Sequence, residues 1–345
     1  MKVISMLPAA TEIAAALGLV DSLVGVSHEC DHPPEVRARP QVTHCEIHGG
    51  GLPSGRIDTW VTDTLTQTGT LYTMDEPLIR RLRPDVILTQ RLCDVCAVGY
   101  DSVTAFAKTL PGPPTVVNLE PASLADIFED IRRVAAATGI PERAEAVVAA
   151  LTARVEAVRT RVARARTRPR AVILEWLDPP FACGHWNPEL VEIAGGEEAL
   201  GHKGRPSRRV TWEEVLATRP EVVIIACCGF DLARTRSDLP LLRARAGWAD
   251  LPAVRDGRVY AVDGSQYFSR PGPRVVDSLE ITAEILHPDL FAGRFPAREV
   301  VRVQAETASG GPRRCARRAP RSSSPGAAGR TARGRSTSCG RIPRS

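Results

Sequence analysis

Val172-Ile-Leu-Glu-Trp-Leu-Asp-Pro-Pro-Phe-Ala-Cys-Gly-His-Trp-Asn-Pro-Glu-Leu-Val-Glu-Ile-Ala-Gly-Gly196 decides the fold class. The apolar run at its start reads as a buried strand. A rigid turn carrying Phe181 and Trp186 follows, then a helix that closes on Gly195-Gly196. In an open sheet flanked by helices, such a strand delivers its next loop to the crevice at the strands' carboxyl ends, where ligands bind. Two large aromatics in that loop suit a flat, bulky, partly apolar ligand better than a small polar one.

Outward from this stretch the chain alternates strand and helix patterns. Upstream, residues 1–140 carry strand patterns at Val3–Met6, Leu23–Val26, Val86–Thr89 and Thr115–Leu119. Helical patterns lie near 8–17, 57–67, 76–82 and 123–138. Downstream, residues 169–291 repeat the alternation, with strands at Ala171–Trp176, Val222–Ala226 and Val259–Val262 and a last helix from Pro273 to Leu286. Between them, within residues 141–168, Ala144, Val147, Val148, Leu151, Val155, Val158 and Val162 form a helical stripe that neither Gly nor Pro breaks from Glu142 to Arg166. The expected fold is α/β: two lobes with mostly parallel sheets, joined stiffly by one long α-helix. A faint repeat links the lobes. Pro77-Leu-Ile-Arg-Arg-Leu-Arg-Pro-Asp-Val-Ile-Leu88 resembles Glu213-Glu-Val-Leu-Ala-Thr-Arg-Pro-Glu-Val-Val-Ile224, although any helix–turn–strand unit shares that outline.

The formal charge of +5 belongs to the tail. From Thr307 to Ser345 there are ten Arg and no Asp, Glu or Lys. Without them the body carries about −5, which gives nucleic-acid binding by the folded part no support. Residues 292–345 read as a tail that is expected to be disordered, most plainly in the Arg-, Ser-, Gly- and Pro-rich part from Thr307. No apolar run is long enough to cross a bilayer. Nine Cys in 345 residues fall short of a disulfide scaffold and point to a reducing compartment. Pro8 and Glu12 interrupt the first apolar stretch, so the chain as it stands carries no secretory signal and is expected in the cytoplasm; an upstream start would make it extracytoplasmic.

The chemistry-bearing motifs leave alternatives open. Ser27-His-Glu-Cys-Asp-His-Pro33 follows a strand and reads either as polar contact with a ligand's rim, through His28 and Glu29, or as an Asp/Pro turn. Cys93-Asp-Val-Cys96 reads as half a metal site, a redox pair or two small buried residues. Zinc would need two further ligands, for which Cys45 and His48 have suitable types and spacing. Gly49-Gly-Gly51 lacks the spacing of a phosphate cradle. No Gly-x-Ser-x-Gly or His-Glu-x-x-His occurs, so no catalytic constellation and no catalytic cofactor are expected. Tyr267-Phe-Ser-Arg-Pro-Gly-Pro-Arg274, with Tyr267 and Arg270, adds aromatic surface and charge ahead of the last helix.

Two α/β lobes joined by one long helix resemble the substrate-binding proteins of ABC importers for iron chelates and vitamin B12. Asp178-Pro-Pro-Phe-Ala-Cys-Gly184, Glu192-Ile-Ala-Gly-Gly-Glu197 and Trp212-Glu-Glu-Val-Leu-Ala-Thr-Arg-Pro-Glu221 resemble its cobalamin-binding members. So do Gly25-Val-Ser-His-Glu-Cys-Asp31 and Gln90-Arg-Leu-Cys-Asp-Val-Cys96. The resemblance implies a non-enzymatic monomer that binds cobalamin or a related corrinoid between its lobes. Haem or a ferric siderophore is the alternative ligand, and a Cys-based metal or redox protein the alternative class. It implies ligand contacts at Phe181 and Arg270, with Gln266 standing where an acidic residue is expected; Trp186, Tyr267, His28, Glu29 and Tyr72 are the further expected contacts. It also implies an ABC permease docked through one Glu per lobe: Glu213 holds that position in the second lobe, while in the first the position is Pro77 and the neighbouring Glu76 is the candidate substitute.

Overall fold

The chain alternates between inward-facing strands and helices that cover them, and each element follows from its own residues. The computed structural model describes residues 1–45, 51–91, 97–291 and 300–303. The first half contains β1 (Val3–Ser5), β2 (Leu23–Val26), β3 (Thr43–Cys45), β4 (Tyr72–Met74), β5 (Val86–Gln90) and β6 (Thr115–Leu119). Four of them form a parallel sheet in the order β2-β1-β5-β6, and β3 pairs with β4 as a separate antiparallel ribbon. Every residue of β5 is buried, as expected of an inner strand covered on both faces. Around the sheet lie α1 (Pro8–Ala16), α2 (Ser54–Thr68), α3 (Glu76–Leu82), α4 (Tyr100–Ala107) and α5 (Leu124–Ala137). Pro occupies the first turn of α1, and the Ser123 hydroxyl caps α5 by accepting from the Asp126 N–H.

The joining helix is α6 (Pro141–Val162), 22 residues and therefore about 33 Å long. It buries Ala144, Val148, Leu151, Val155 and Val158. The helix stops earlier than the unbroken sequence pattern suggests. Beyond Val162 no apolar residue continues the stripe, and the Arg-rich run offers nothing to bury. Arg154 on its flank donates to Asp277 and, at 2.7 Å, to Glu280, tying the helix to the last part of the fold.

The second half is built on β7 (Arg170–Leu177), β8 (Pro180–Ala182), β9 (Glu197–Glu198), β10 (Arg208–Arg209), β11 (Val222–Ile225), β12 (Val259–Val262) and β13 (Val300–Arg302). They form one seven-stranded sheet with the path β10-β8-β7-β11-β12-β13 and β9 added beside β7. The pairs β7–β11 and β11–β12 are parallel, whereas β8, β10 and β13 run antiparallel to their neighbours. Helices α7 (Asn187–Ile193), α8 (Trp212–Thr218), α9 (Leu232–Ser237), α10 (Leu239–Arg243), α11 (Pro252–Arg255) and α12 (Val275–Leu286) cover its faces. Alternation sorts the residues. Ala171, Ile173, Val222 and Ile224 face a core continuous with that of the first half. Val172, Leu174, Val223 and Ile225 face a second core on the other side. The lobes therefore share packed apolar residues instead of meeting through a flexible linker.

The internal repeat is real at atomic detail. Helices α3 and α8 both end at an arginine in the left-handed region, Arg83 (φ 52°) and Arg219 (φ 46°). Each is followed by proline, which disfavours continuation of the right-handed helix. Next comes an acid: Asp85 accepts from the Lys2 N–H (2.7 Å), and Glu221 accepts from the Arg170 N–H (2.8 Å). Each acid thus clips the incoming strand to the first strand of its own sheet. Val300–Arg302, read from sequence as part of the tail, instead pair with β12 as β13, because their apolar residues extend the sheet edge; the residues beyond 303 lie outside the described ones.

Candidate ligand-binding site

Three loops leave the carboxyl ends of parallel strands and converge: 27–33 after β2, 226–231 after β11 and 263–270 after β12. They line a cavity of about 490 Å³ whose walls include Asp31 and Arg37 from the first lobe. Phe230, Asp231, Arg234, Asp263 and Gln266 come from the second. Phe230 packs against Trp176 with ring centroids 4.7 Å apart, and the Arg234 guanidinium lies 4.2 Å from the Phe230 centroid. Phe230 is 8% exposed and packed in the second core, so the lining offers the edge of one aromatic ring bordered by carboxylates and guanidinium groups. That arrangement can hold a ligand with an apolar face and a polar rim.

A buried ionic network crosses between the lobes beside the cavity. Arg270 donates to Asp31 (2.5 Å) and to Glu12 (3.2 Å), and Arg274 forks onto both Glu12 oxygens (2.6 and 2.9 Å). The side chains of Glu12 and Arg270 are only 2% and 8% exposed, so each depends on its partner for charge compensation. Gln266 joins in by accepting from Arg274 (3.2 Å) and donating to Asp263 (2.8 Å). Burial works to raise the Asp31 carboxyl, but Arg270, helped by Arg274 and Arg37, overrides it and holds it below its ordinary value. At Asp263 burial prevails over the bonds from Gln266, and its carboxyl is pushed up.

The residues singled out from sequence fall into separate groups. Phe181 is half-buried on β8, opposite Trp176 of β7 and Arg209 of β10, with the Arg209 guanidinium 5.6 Å from its ring centroid. Trp186 departs from the expected aromatic wall. It is 5% exposed, belongs to the core, and donates its indole N–H to the Phe268 carbonyl (3.2 Å). An indole placed inside must find such an acceptor, and the turn before α7 directs it there. Gly184 makes that turn possible, because a Cβ there would lie 2.4 Å from the Arg205 carbonyl oxygen. Tyr267 is also buried, under the Arg274 guanidinium at 5.6 Å. Arg270 sits in the ionic network and is not an open charge.

His28, Glu29 and Tyr72 come together on the first lobe. The Tyr72 hydroxyl donates to Glu29 (3.2 Å), the His28 ring lies 5.8 Å from Tyr72, and His28 Nδ1 is 2.9 Å from the Thr43 hydroxyl. Burial, with help from His44, lowers the His28 imidazole against the opposing bond from Thr43. Of the residues considered for a metal, Cys45 is half-buried on β3, while His48, Cys93 and Cys96 lie outside the described residues. Among the described residues no group of three or more His, Cys, Asp or Glu could hold a metal ion.

Residues 3–265 match the family described as periplasmic binding protein. The chain belongs to that family. It is 24% identical over 289 residues to the vitamin B12-binding protein of Vibrio cholerae, covering 81% of this chain and 86% of that one. An ABC transporter substrate-binding lipoprotein of Bacillus subtilis, YvrC, is 24% identical, with 84% and 81% covered. Among solved structures, the periplasmic haem-binding protein RhuT of Roseiflexus sp. RS-1 superposes with a TM-score of 0.63 at 23% identity, covering 84% and 98%. The vitamin B12-binding protein BtuF of Vibrio cholerae gives 0.60 at 22% identity, covering 83% and 96%. The two solved structures share the overall fold seen here.

Within this periplasmic binding protein, Glu76 and Glu213 are both exposed and both stand in the first turn of the repeat-related helices α3 and α8. Glu76 has Arg80 one turn away at 4.0 Å. Among the described residues no helix is long and apolar enough to cross a membrane. Sequence reasoning overlooked Trp176, Phe230, Arg234, Glu12 and Arg274. Phe230 carried a usable signal: Cys227-Cys-Gly-Phe-Asp231 follows β11 as Ser27–Pro33 follows β2, so both loops belong to the same edge.

Proposed function

We propose that this protein binds cobalamin or a related corrinoid non-enzymatically between its lobes and hands it to an ABC permease. The observation that carries the reading is the cavity at the joint carboxyl edge of both sheets, walled by Phe230 and by charged and amide groups from both lobes. A corrin offers a broad ring and an amide-rich rim, and each has a counterpart there. The 24%-identical relative named for vitamin B12 binding supports the choice. Phe181, with Arg209 over its ring, adds a second aromatic contact, and His28, Glu29 and Tyr72 supply polar groups from the first lobe. Glu76 and Glu213, both exposed in the first turns of the repeat-related helices although one position out of register, favour permease docking through both lobes. The family favours a location outside the cytoplasmic membrane over the cytoplasmic one.

Haem is the second reading, favoured by Arg37 and Arg234 on the cavity wall, which would pair with carboxylate side chains. Calorimetric titration with cyanocobalamin, haemin and a ferric hydroxamate separates the two. Saturable 1:1 binding of cyanocobalamin in preference to the others is the expected result. Preference for haemin would replace it with the second reading, and binding of none of them would overturn both.

A further inference from the structure

Two arginines of the second lobe each lie over an aromatic ring, and both are held by one short segment of the first lobe. Arg209, 5.6 Å from the Phe181 centroid, donates to both oxygens of Asp58 (3.0 and 2.9 Å). Arg234, 4.2 Å from the Phe230 centroid, donates to the Leu52 carbonyl (2.6 Å). The segment 52–58 leads into α2 and is anchored independently of these bonds. Ile57 is 7% exposed and packs in the second lobe's own core, among residues such as Leu174 and Leu177. Gly55 approaches the Asp178-Pro179 turn so closely that a Cβ there would lie 2.6 Å from the Asp178 carboxylate. Arg245 holds that carboxylate from the other side at 3.3 Å.

We infer that residues 52–58 form a clasp that keeps Phe181 and Phe230 capped by arginine, and that ligand entry requires the clasp to release. Release frees Arg209 and the Phe181 face, and takes from Arg234 its bond across the lobes, leaving that guanidinium tied to Asp238 (2.6 Å) and Ser237 (2.8 Å) of its own helix and able to swing from the Phe230 ring only about those bonds. A guanidinium on a ring covers the face that a flat ligand would use. Once freed it presents donors in a fixed plane, suited to a rim of carbonyl or carboxylate oxygens. The ligand selected is therefore one with an extended flat face and an acceptor-rich edge. This inference rests on the proposed inter-lobe site and adds Trp176, Phe230, Arg209 and Arg234 to its specificity.

Two variants test it in the full-length protein. Ile57→Ala removes the apolar anchor, and Asp58→Asn removes the charge that holds Arg209 while keeping the side chain's shape. Hydrogen exchange of residues 54–68 is expected to accelerate at least about tenfold in Ile57→Ala, since a buried aliphatic anchor is lost. In Asp58→Asn the expected increase is about two- to fivefold, the scale of a partly exposed ion pair. Exchange in β5, β7 and β11 should remain unchanged, which separates local release from misfolding. Stopped-flow association of whichever probe binds, cyanocobalamin or haemin, should accelerate in the same order. If the exchange of 54–68 is unaltered in both variants, the clasp does not exist. If exchange rises while the association rate stays at the wild-type value, the clasp does not gate the site. If neither probe binds wild-type protein, the proposed ligand class fails, and the inference of a gated ligand site fails with it even where exchange accelerates.

Discussion

Arg270 holds Glu12 across 258 residues of sequence, and the same guanidinium nitrogen reaches Asp31. Removing one partner of a buried pair leaves an uncompensated charge and typically costs about 3–5 kcal/mol. Glu12→Ala takes the buried carboxylate from two guanidinium groups at once, leaving Arg270 to Asp31 and Arg274 to the neutral Gln266, whereas Arg270→Ala leaves Glu12 its fork from Arg274. Urea unfolding should therefore rank Glu12→Ala as the more destabilised. The reverse order would mean that the Arg270–Asp31 contact carries the link. Because the Asp31 carboxyl is held below its ordinary value, its contribution is present above the usual carboxylate range and is lost as pH falls through the lowered value.

Phe181 and Trp186 should separate cleanly in a mutant pair. Phe181→Ala is expected to weaken cobalamin binding several-fold, since an aromatic contact contributes about 0.5–1.5 kcal/mol beyond area burial. Its effect on stability should be the smaller of the two. Trp186→Ala opens the core and should cost about 3–5 kcal/mol of stability. Calorimetry and thermal unfolding on both variants check the contrast.

Asp130 gives a pH-dependent prediction. Its side chain is 1% exposed, one oxygen has no hydrogen-bond partner among the described residues, and burial pushes its carboxyl up to about 7 against the pull of Arg133. A carboxyl raised in the folded state favours folding below its unfolded value and loses that contribution as pH rises through about 7. Asp130→Asn should therefore stabilise the protein more at pH 8 than at pH 5, by about 1–4 kcal/mol. Equal gains at both pH values in thermal unfolding would contradict the shift.

Glu76 and Glu213 should matter to delivery and not to binding. Changing either to Ala is expected to leave the affinity for cyanocobalamin within about twofold, because exposed side chains away from the cavity contribute little to it. Uptake of labelled cobalamin by cells carrying the protein with its permease should fall severalfold for each and further for the pair. A loss of affinity in the isolated protein would move these residues into the ligand site.

Much of the scaffold was legible before any coordinates, for reasons that are local. Val86–Leu88 and Val222–Ile225 are apolar throughout because both faces are covered, so their runs stand out in sequence. The repeat of helix, arginine, proline and acid was visible as letters. That Asp85 and Glu221 each clip the incoming strand to a first strand was not, because the partners Lys2 and Arg170 lie 83 and 51 residues away. The short strands β8, β9 and β10 were missed because two or three residues give no period to read.

The site was less legible than the scaffold. Phe181 was found because its Pro-Pro turn marks it, and Trp186 was grouped with it because five residues separate them in sequence. Only the tertiary structure turns one toward Arg209 and the other into the core. Sequence alone determined the α/β alternation, the joining helix and the lobe-by-lobe repeat, since these depend on periodicity and on turn residues that act within a few positions. The tertiary structure decided which loops share the cavity, which charges are buried in pairs, and which aromatic rings Arg209 and Arg234 lie over. Those depend on residues brought together from distant parts of the chain, and burial and Coulomb attraction act on distance in space.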